Sequence, residues 1–278
     1  IALCYRGGVM WKMQAGMGDV IFAPIYELLQ KRGVKFEYFH QLQNLTPSLN
    51  AQGEYIVNTI ELQQQVSLNS AAEYQPLVNI KNLPCWPSEP IYDQLNSEQA
   101  TLLQQYNINL ESFWSDWPAK YQAFYGRPLP IKTLRVNDDF DKLVLGVSVA
   151  SLEHVCPELL ELDSSFLTQA KTVKTVATQA AQLWLTKTDQ QLGWQYMPAS
   201  EERPILSGFS EPFDTWAAMS NLIDKEQWPL NSSPVNIAYF CSAFPCDDYP
   251  PQSDHEFVVS AKAQVKENLE SMLKNNMQ

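Results

Sequence analysis

Glycine is scarce in this chain. Its 278 residues include 10 glycines against 18 prolines. An enzyme that binds a dinucleotide unaided commonly spends several glycines on its phosphate loop. Basic charge is also short, with 19 lysines and arginines facing 31 aspartates and glutamates, for a formal charge of −12. That balance argues against a nucleic-acid partner, which needs a basic stripe to displace counterions, and it disfavours anionic membrane surfaces. No apolar run is long enough to span a bilayer. The five cysteines (Cys4, Cys85, Cys156, Cys241, Cys246) are too few and too scattered for a disulfide framework, and their odd number leaves one unpaired. The expectation is reduced thiols in a cytoplasmic protein. The first residue is Ile1, not methionine, so the sequence is expected to be a fragment or a processed product.

What is present is a globular composition, 45% apolar and 18% charged, in a chain long enough for one large or two small domains with a real core. The most organised stretch is residues 13–45. Gly16 and Gly18 flank Met17 at a tight turn, where a missing Cβ gives the backbone freedom. Ile21, Ile25, Leu28 and Leu29 follow with the spacing of a half-buried helix, closed by Lys31, Arg32 and Gly33. Val34, Phe36 and Tyr38 then alternate with charged residues, as in a strand. Residues 46–53 read as a loop, and residues 56–61 as a strand pairing back on the one before.

Further on, three prolines within residues 84–90 forbid a helix interior. Residues 91–130 read as a helical insertion with an aromatic cluster: Tyr106, Phe113, Trp114, Trp117, Tyr121, Phe124 and Tyr125. Packing is the first expectation for such a cluster and the wall of an apolar cavity the second. Residues 140–149 (FDKLVLGVSV) give the strongest strand signal, nearly continuous in apolar residues and so expected to be buried on both faces. Residues 152–162 read as a helix broken at Pro157, residues 173–185 and 236–240 as strands, and residues 260–273 as a closing helix. A helix is also expected from about Asp214, a plausible N-cap, to Leu222.

Three chemistries deserve weighing. A Rossmann loop at Gly16-Met17-Gly18 would place Glu37 where a ribose-binding acid belongs, but Ile21 stands at the third glycine and Pro24 disturbs the first turns. A serine nucleophile at Ser148, with Asp247 or Asp248 and His255 in α/β-hydrolase order, lacks the final glycine of its motif, and Val147 and Val149 favour a continuing strand over a sharp turn. Metal ligation by His154 and Cys156, or by Cys241 and Cys246, lacks structural-zinc spacing and a second pair.

The stretch MQAGMGDVIFAPIYELLQKRGVKFEYFHQLQNL (residues 13–45) resembles the glycine turn, helix and strand of flavin-dependent amine oxidases and phytoene-desaturase-like oxidoreductases. FDKLVLGVSVASLEHVCPELL (residues 140–160) resembles a later strand–loop–helix of the same enzymes. A narrower likeness, to bacterial amine-oxidase-like NAD(P)/FAD-binding proteins, runs through residues 85–90 and 211–216. The resemblance implies a substrate-binding-type domain over residues 1–278 from the middle of a flavoprotein, without the N-terminal Rossmann unit. The implied fold is α+β, a mixed and mainly antiparallel sheet covered by helices.

FAD would be held by the full-length parent and not by this chain alone, and the Gly16/Gly18 turn would be a scaffold. Leu42 matches a position whose backbone contacts the adenine end of FAD. The strand carrying the family's lysine near flavin N5 aligns with residues 175–185, where Gln179 stands in its place. Trp11, Gln179 and Trp184 are the expected substrate contacts. The implied activity is FAD-dependent oxidation of a small, apolar substrate. The alternatives are a non-catalytic module for a hydrophobic ligand and a serine hydrolase using Ser148. Self-association of the fragment through uncovered apolar surface is expected.

Overall fold

The computed structural model describes residues 13–70, 73–195, 205–207, 210–246 and 248–275. In chain order these form α1 (Ala23–Lys31), β1 (His40–Leu49), β2 (Tyr55–Gln64), β3 (Val78–Ile80), β4 (Leu83–Cys85), α2 (Ser97–Gln105), α3 (Trp117–Tyr125) and β5 (Ile131–Arg135). After them come α4 (Leu152–Val155), α5 (Pro157–Leu162), α6 (Ser164–Thr172), β6 (Thr178–Leu185), β7 (Ile205–Ser207), β8 (Thr215–Ala218), β9 (Asn236–Ala243) and α7 (Phe257–Asn275). The class is α+β, with small antiparallel sheets and helices laid against them.

The central sheet has the order β1-β2-β5. Its hairpin turns at residues 50–53, where Asn50 Oδ1 accepts the N–H groups of Gln52 and Glu54 and Gly53 takes a positive φ of 80°. The register sets Leu45 beside Ile60 and Ile60 beside Leu134, so one face carries an apolar row across three strands. Helices α4 to α6 cover that face, and Leu45, Ile60, Leu152, Cys156 and Leu160 form its core. Pro157 opens α5, where its missing N–H costs nothing.

A second core lies between α2, α3 and the segment after β2. Asn96 caps α2 by accepting the Gln99 N–H, and Gly126 ends α3 with φ 68°. Trp117, Tyr121, Leu95, Leu103 and Leu129 fill the space. The third unit is the antiparallel sheet β6-β9-β8-β7. Helix α7 covers one face of it through Met272, Val265, Leu269 and Leu273, against Phe213, Ala238 and Phe240. Among the described residues no helix is long and apolar enough to cross a membrane.

Several local expectations change. The helix at residues 18–31 begins as a π-helical turn and buries Ala23 and Tyr26, leaving Phe22, Ile25 and Leu28 exposed. Tyr26 decides the face: its ring meets Phe36 at 4.7 Å and Trp86 at 5.3 Å, both edge-on. Residues 34–38 make no ladder, and β1 starts at His40 after Phe39 takes φ 60°. The expected loop at residues 46–53 is strand as far as Leu49. The expected helix after Asp214 is strand β8, followed by a 3-10 segment at Ser220–Lys225. Ala217 and Ala218 pair with Tyr239 and Ala238 of β9 there, and tertiary pairing overrides helical propensity.

The largest difference is at residues 140–149. Phe140 forms an isolated bridge to Val136, and residues 141–148 form no regular element and have no ladder partner among the described residues. Phe140, Leu145 and Val149 pack on the central core, while Val144 is 94% exposed.

Candidate functional site

The described residues enclose an open cleft of about 750 Å³. One wall is the aromatic group of Tyr38, Tyr74 and Tyr92 with Trp86 behind it. A second is the segment from Tyr106 to Asp116, which links α2 to α3. The third is the start of α7, with His255, Glu256, Val259 and Lys262. The aromatic cluster expected in the sequence therefore divides. Trp117 and Tyr121 are core, with Trp117 Nε1 donating to the Gln65 carbonyl at 2.6 Å, whereas Tyr106 and Trp114 line the cleft.

Trp114 holds the third wall in place. Its indole N–H donates to the Pro250 carbonyl at 3.1 Å, and its own carbonyl meets His255 Nδ1 at 2.9 Å. Its ring packs on Phe257 at 4.6 Å. At the rim, Lys120 pairs with Asp116 at 3.0 Å and lies 4.5 Å over the Tyr106 ring. Burial, then the neighbouring Tyr26 hydroxyl, pushes the Tyr38 phenol far above its ordinary value. Tyr74 is also raised by burial, against the opposing effect of the Ile91 N–H that its hydroxyl accepts. Both phenols are thus neutral at physiological pH and have no role as anions.

A second cavity of about 370 Å³ lies behind Trp114 and Phe257, against residues 177–180 of the β6 edge. Its wall is mainly apolar: Phe244, Tyr249, Ala261 and Val265 complete it, and Lys262 lines both cavities.

Gln179 borders this second cavity but is a fastener. It is 2% exposed, and its Nε2 donates to the Pro212 carbonyl and Ser242 Oγ, each at 2.9 Å. Its Oε1 accepts the Asn268 Nδ2 at 3.0 Å, tying β6, β9 and α7 together. Trp184 lies on the opposite face of the same strand, 64% exposed and edge-on to Trp228 at 5.2 Å. Leu42 belongs to β1, pairs with Leu62 and packs on the central core. The chain does not gather Leu42, Gln179 and Trp184 at one place, and Trp11 lies outside the described residues.

At the glycine turn the space a pyrophosphate would need is already taken. A Cβ on Gly16 would stand 2.8 Å from the Asp19 carboxylate, and one on Gly18 would stand 3.3 Å from the Trp86 ring. Asp19 Oδ1 accepts the Trp86 N–H at 3.0 Å. The turn is packed by an indole and carries an anion, so it does not fit a phosphate. Leu42, engaged in the ladder and the core, adds no cradle. Cys85, beside this turn, is raised first by burial and then by Asp19, which keeps it a thiol.

Ser148 has extended backbone (φ −61°, ψ 146°) and its carbonyl accepts the Ser151 N–H at 2.9 Å. The strained turn of a nucleophile elbow is not formed there. His255 Nδ1 is engaged with Trp114, and Asp247 lies outside the described residues. Among the described residues no three His, Cys, Asp or Glu side chains gather as a metal site, and Cys85, Cys156, Cys241 and Cys246 are free thiols.

Sequence reasoning missed Lys262 and the places of Trp86 and His255 in the cleft. Trp86 sat in a proline-rich stretch read as non-helical and as part of a family likeness, and His255 was weighed only as a member of a serine triad. His255 and Lys262 reach the cleft through the return of α7, which no local pattern encodes. No protein-family model, curated protein or solved structure matches the chain.

Proposed function

We propose that this chain is the substrate-binding part of a flavin-dependent oxidoreductase of the amine-oxidase or phytoene-desaturase kind, with FAD held by residues outside this sequence. The observation that carries the reading is the unpaired segment at residues 141–148. A stretch with a strand-like apolar sequence, with Val144 almost fully exposed and without ladder partners among the described residues, has the character of a strand separated from its sheet. It is also the stretch that resembles the family's strand leading back toward the flavin. The poor fit of the Gly16/Gly18 turn to a pyrophosphate agrees with a cofactor bound elsewhere. On this reading the aromatic cleft holds the substrate, and this chain supplies orientation and exclusion of water.

The test is spectroscopic. The complete gene product is expected to purify with the visible absorption of bound flavin, or to acquire it on titration with FAD. A complete product that stays colourless and takes up no FAD overturns the proposal. In that case the cleft supports a second reading, a binding module without catalysis, because its aromatic walls at Tyr92, Tyr106 and Trp114 need no cofactor to hold a ligand.

A further inference from the structure

The two cavities differ in charge. The large cleft is lined by Glu89, Glu111, Asp116 and Glu256. The smaller one, in a chain of formal charge −12, has no aspartate or glutamate among its described lining residues. It has one cation, Lys262. This ammonium, at an exposed position, has no carboxylate within ion-pair distance among the described residues.

The remaining polar groups of the wall narrow the choice. The Gln179 amide is bonded to Pro212, Ser242 and Asn268, and the Trp114 N–H to Pro250. What remains for a ligand's polar end is the Lys262 ammonium, with Thr178 and Tyr249 as the other hydroxyl-bearing residues of the lining. The rest of the wall is apolar or aromatic: Phe257, Phe244, Val265, Ala180 and Ala261. A volume of about 370 Å³ falls within the range of ligand pockets. An ammonium ligand would meet a like charge, and a neutral hydrocarbon would leave the cation unused.

We infer that the smaller cavity is a binding site for an apolar carboxylic acid, its hydrocarbon body between Phe257 and the β6 edge and its carboxylate on Lys262. Glu256, in the neighbouring cleft, opposes the anion, and a direct charge-assisted hydrogen bond from Lys262 offsets it at short range. The inference is independent of the flavin reading, since no cofactor takes part.

The probes are decanoate, decanol and decyltrimethylammonium, each titrated below its micelle-forming concentration and followed by calorimetry and tryptophan fluorescence. Decanoate is expected to bind about tenfold tighter than decanol, with the ammonium compound weakest. Lys262→Met, at an exposed position, brings decanoate to the affinity of decanol, and Lys262→Arg keeps the preference. Ala261→Phe, on the α7 side of the cavity, fills it and removes binding of both. Equal binding of the three probes, a preference for decanoate that survives Lys262→Met, or binding that survives Ala261→Phe overturns the inference. A complete gene product that stays colourless, takes up no FAD and binds decanoate in this way ends the flavin reading and leaves this one standing.

Discussion

The α2–α3 core and the C-terminal sheet are built on different principles. In the first, Trp117, Tyr121, Leu95 and Leu103 exclude water, and the one polar atom of Trp117 finds the Gln65 carbonyl. In the second, the apolar core is small, and buried hydrogen bonds close it. Gln179 joins β6 to α7 and to the loop before β8. Asn236, 4% exposed, accepts from Ser220 and donates to Asp189. Burial is non-directional and tolerates exchange of shape. Hydrogen-bonded closure is directional, and one missing partner strands several others.

That contrast breaks if the substitutions below fall out of order. Trp117→Ala should cost the most, about 3–5 kcal/mol, because it opens a cavity and strands the Gln65 carbonyl. Denaturant unfolding reads it, and a loss under about 1 kcal/mol would show that the helices are held elsewhere. Gln179→Met keeps the volume and removes every hydrogen bond of the amide, at a cost of about 1–3 kcal/mol. A neutral result in the same unfolding assay would mean that burial alone holds the C-terminal sheet. Asn96→Ala removes the cap of α2 and should cost about 1 kcal/mol, with Asn96→Gly recovering most of it.

The smallest effect sharpens a third kind of contact. The Lys132 ammonium, hydrogen-bonded to Glu37, holds that carboxyl below the ordinary carboxylate value. A lowered carboxyl stabilises the fold fully above its unfolded value, and the gain is lost as pH falls through the lowered folded value. Both side chains are substantially exposed, so the gain is at most about 0.5 kcal/mol. The difference in stability between the wild type and Lys132→Met should be constant near neutrality and vanish on acidification; a difference that grows in acid would reverse the sign.

Legibility in the sequence followed the range of the interactions. Strand β2, the break at Pro157, strand β9 and helix α7 were readable because local periodicity and proline chemistry decide them, whereas the partner of β2 was expected at residues 34–38 and is His40–Leu49. The inward face of α1 was not, because Tyr26 answers to Phe36 and to the distant Trp86. Residues 140–149 carried the strongest strand pattern and form no ladder, since periodicity records a preference and pairing needs a neighbour. The cleft was half legible: the aromatic cluster was visible, but which rings face inward depends on α7. Gln179 was singled out for the wrong reason. Its position at a cavity is real, but its amide is spent on holding the sheet.

The two bonds of Trp114 also bear on the order of folding. They reach Pro250 and His255 across 136 and 141 positions of the chain. The wall made by α2 and α3 closes over short sequence distances, while the wall carried by α7 must wait for one of the longest loops in the molecule to close. Completion of the cleft thus belongs late in folding, after the wall it leans on. A substitution at Phe257 should therefore speed unfolding and leave the folding rate almost unchanged, whereas one at Leu103 should slow folding.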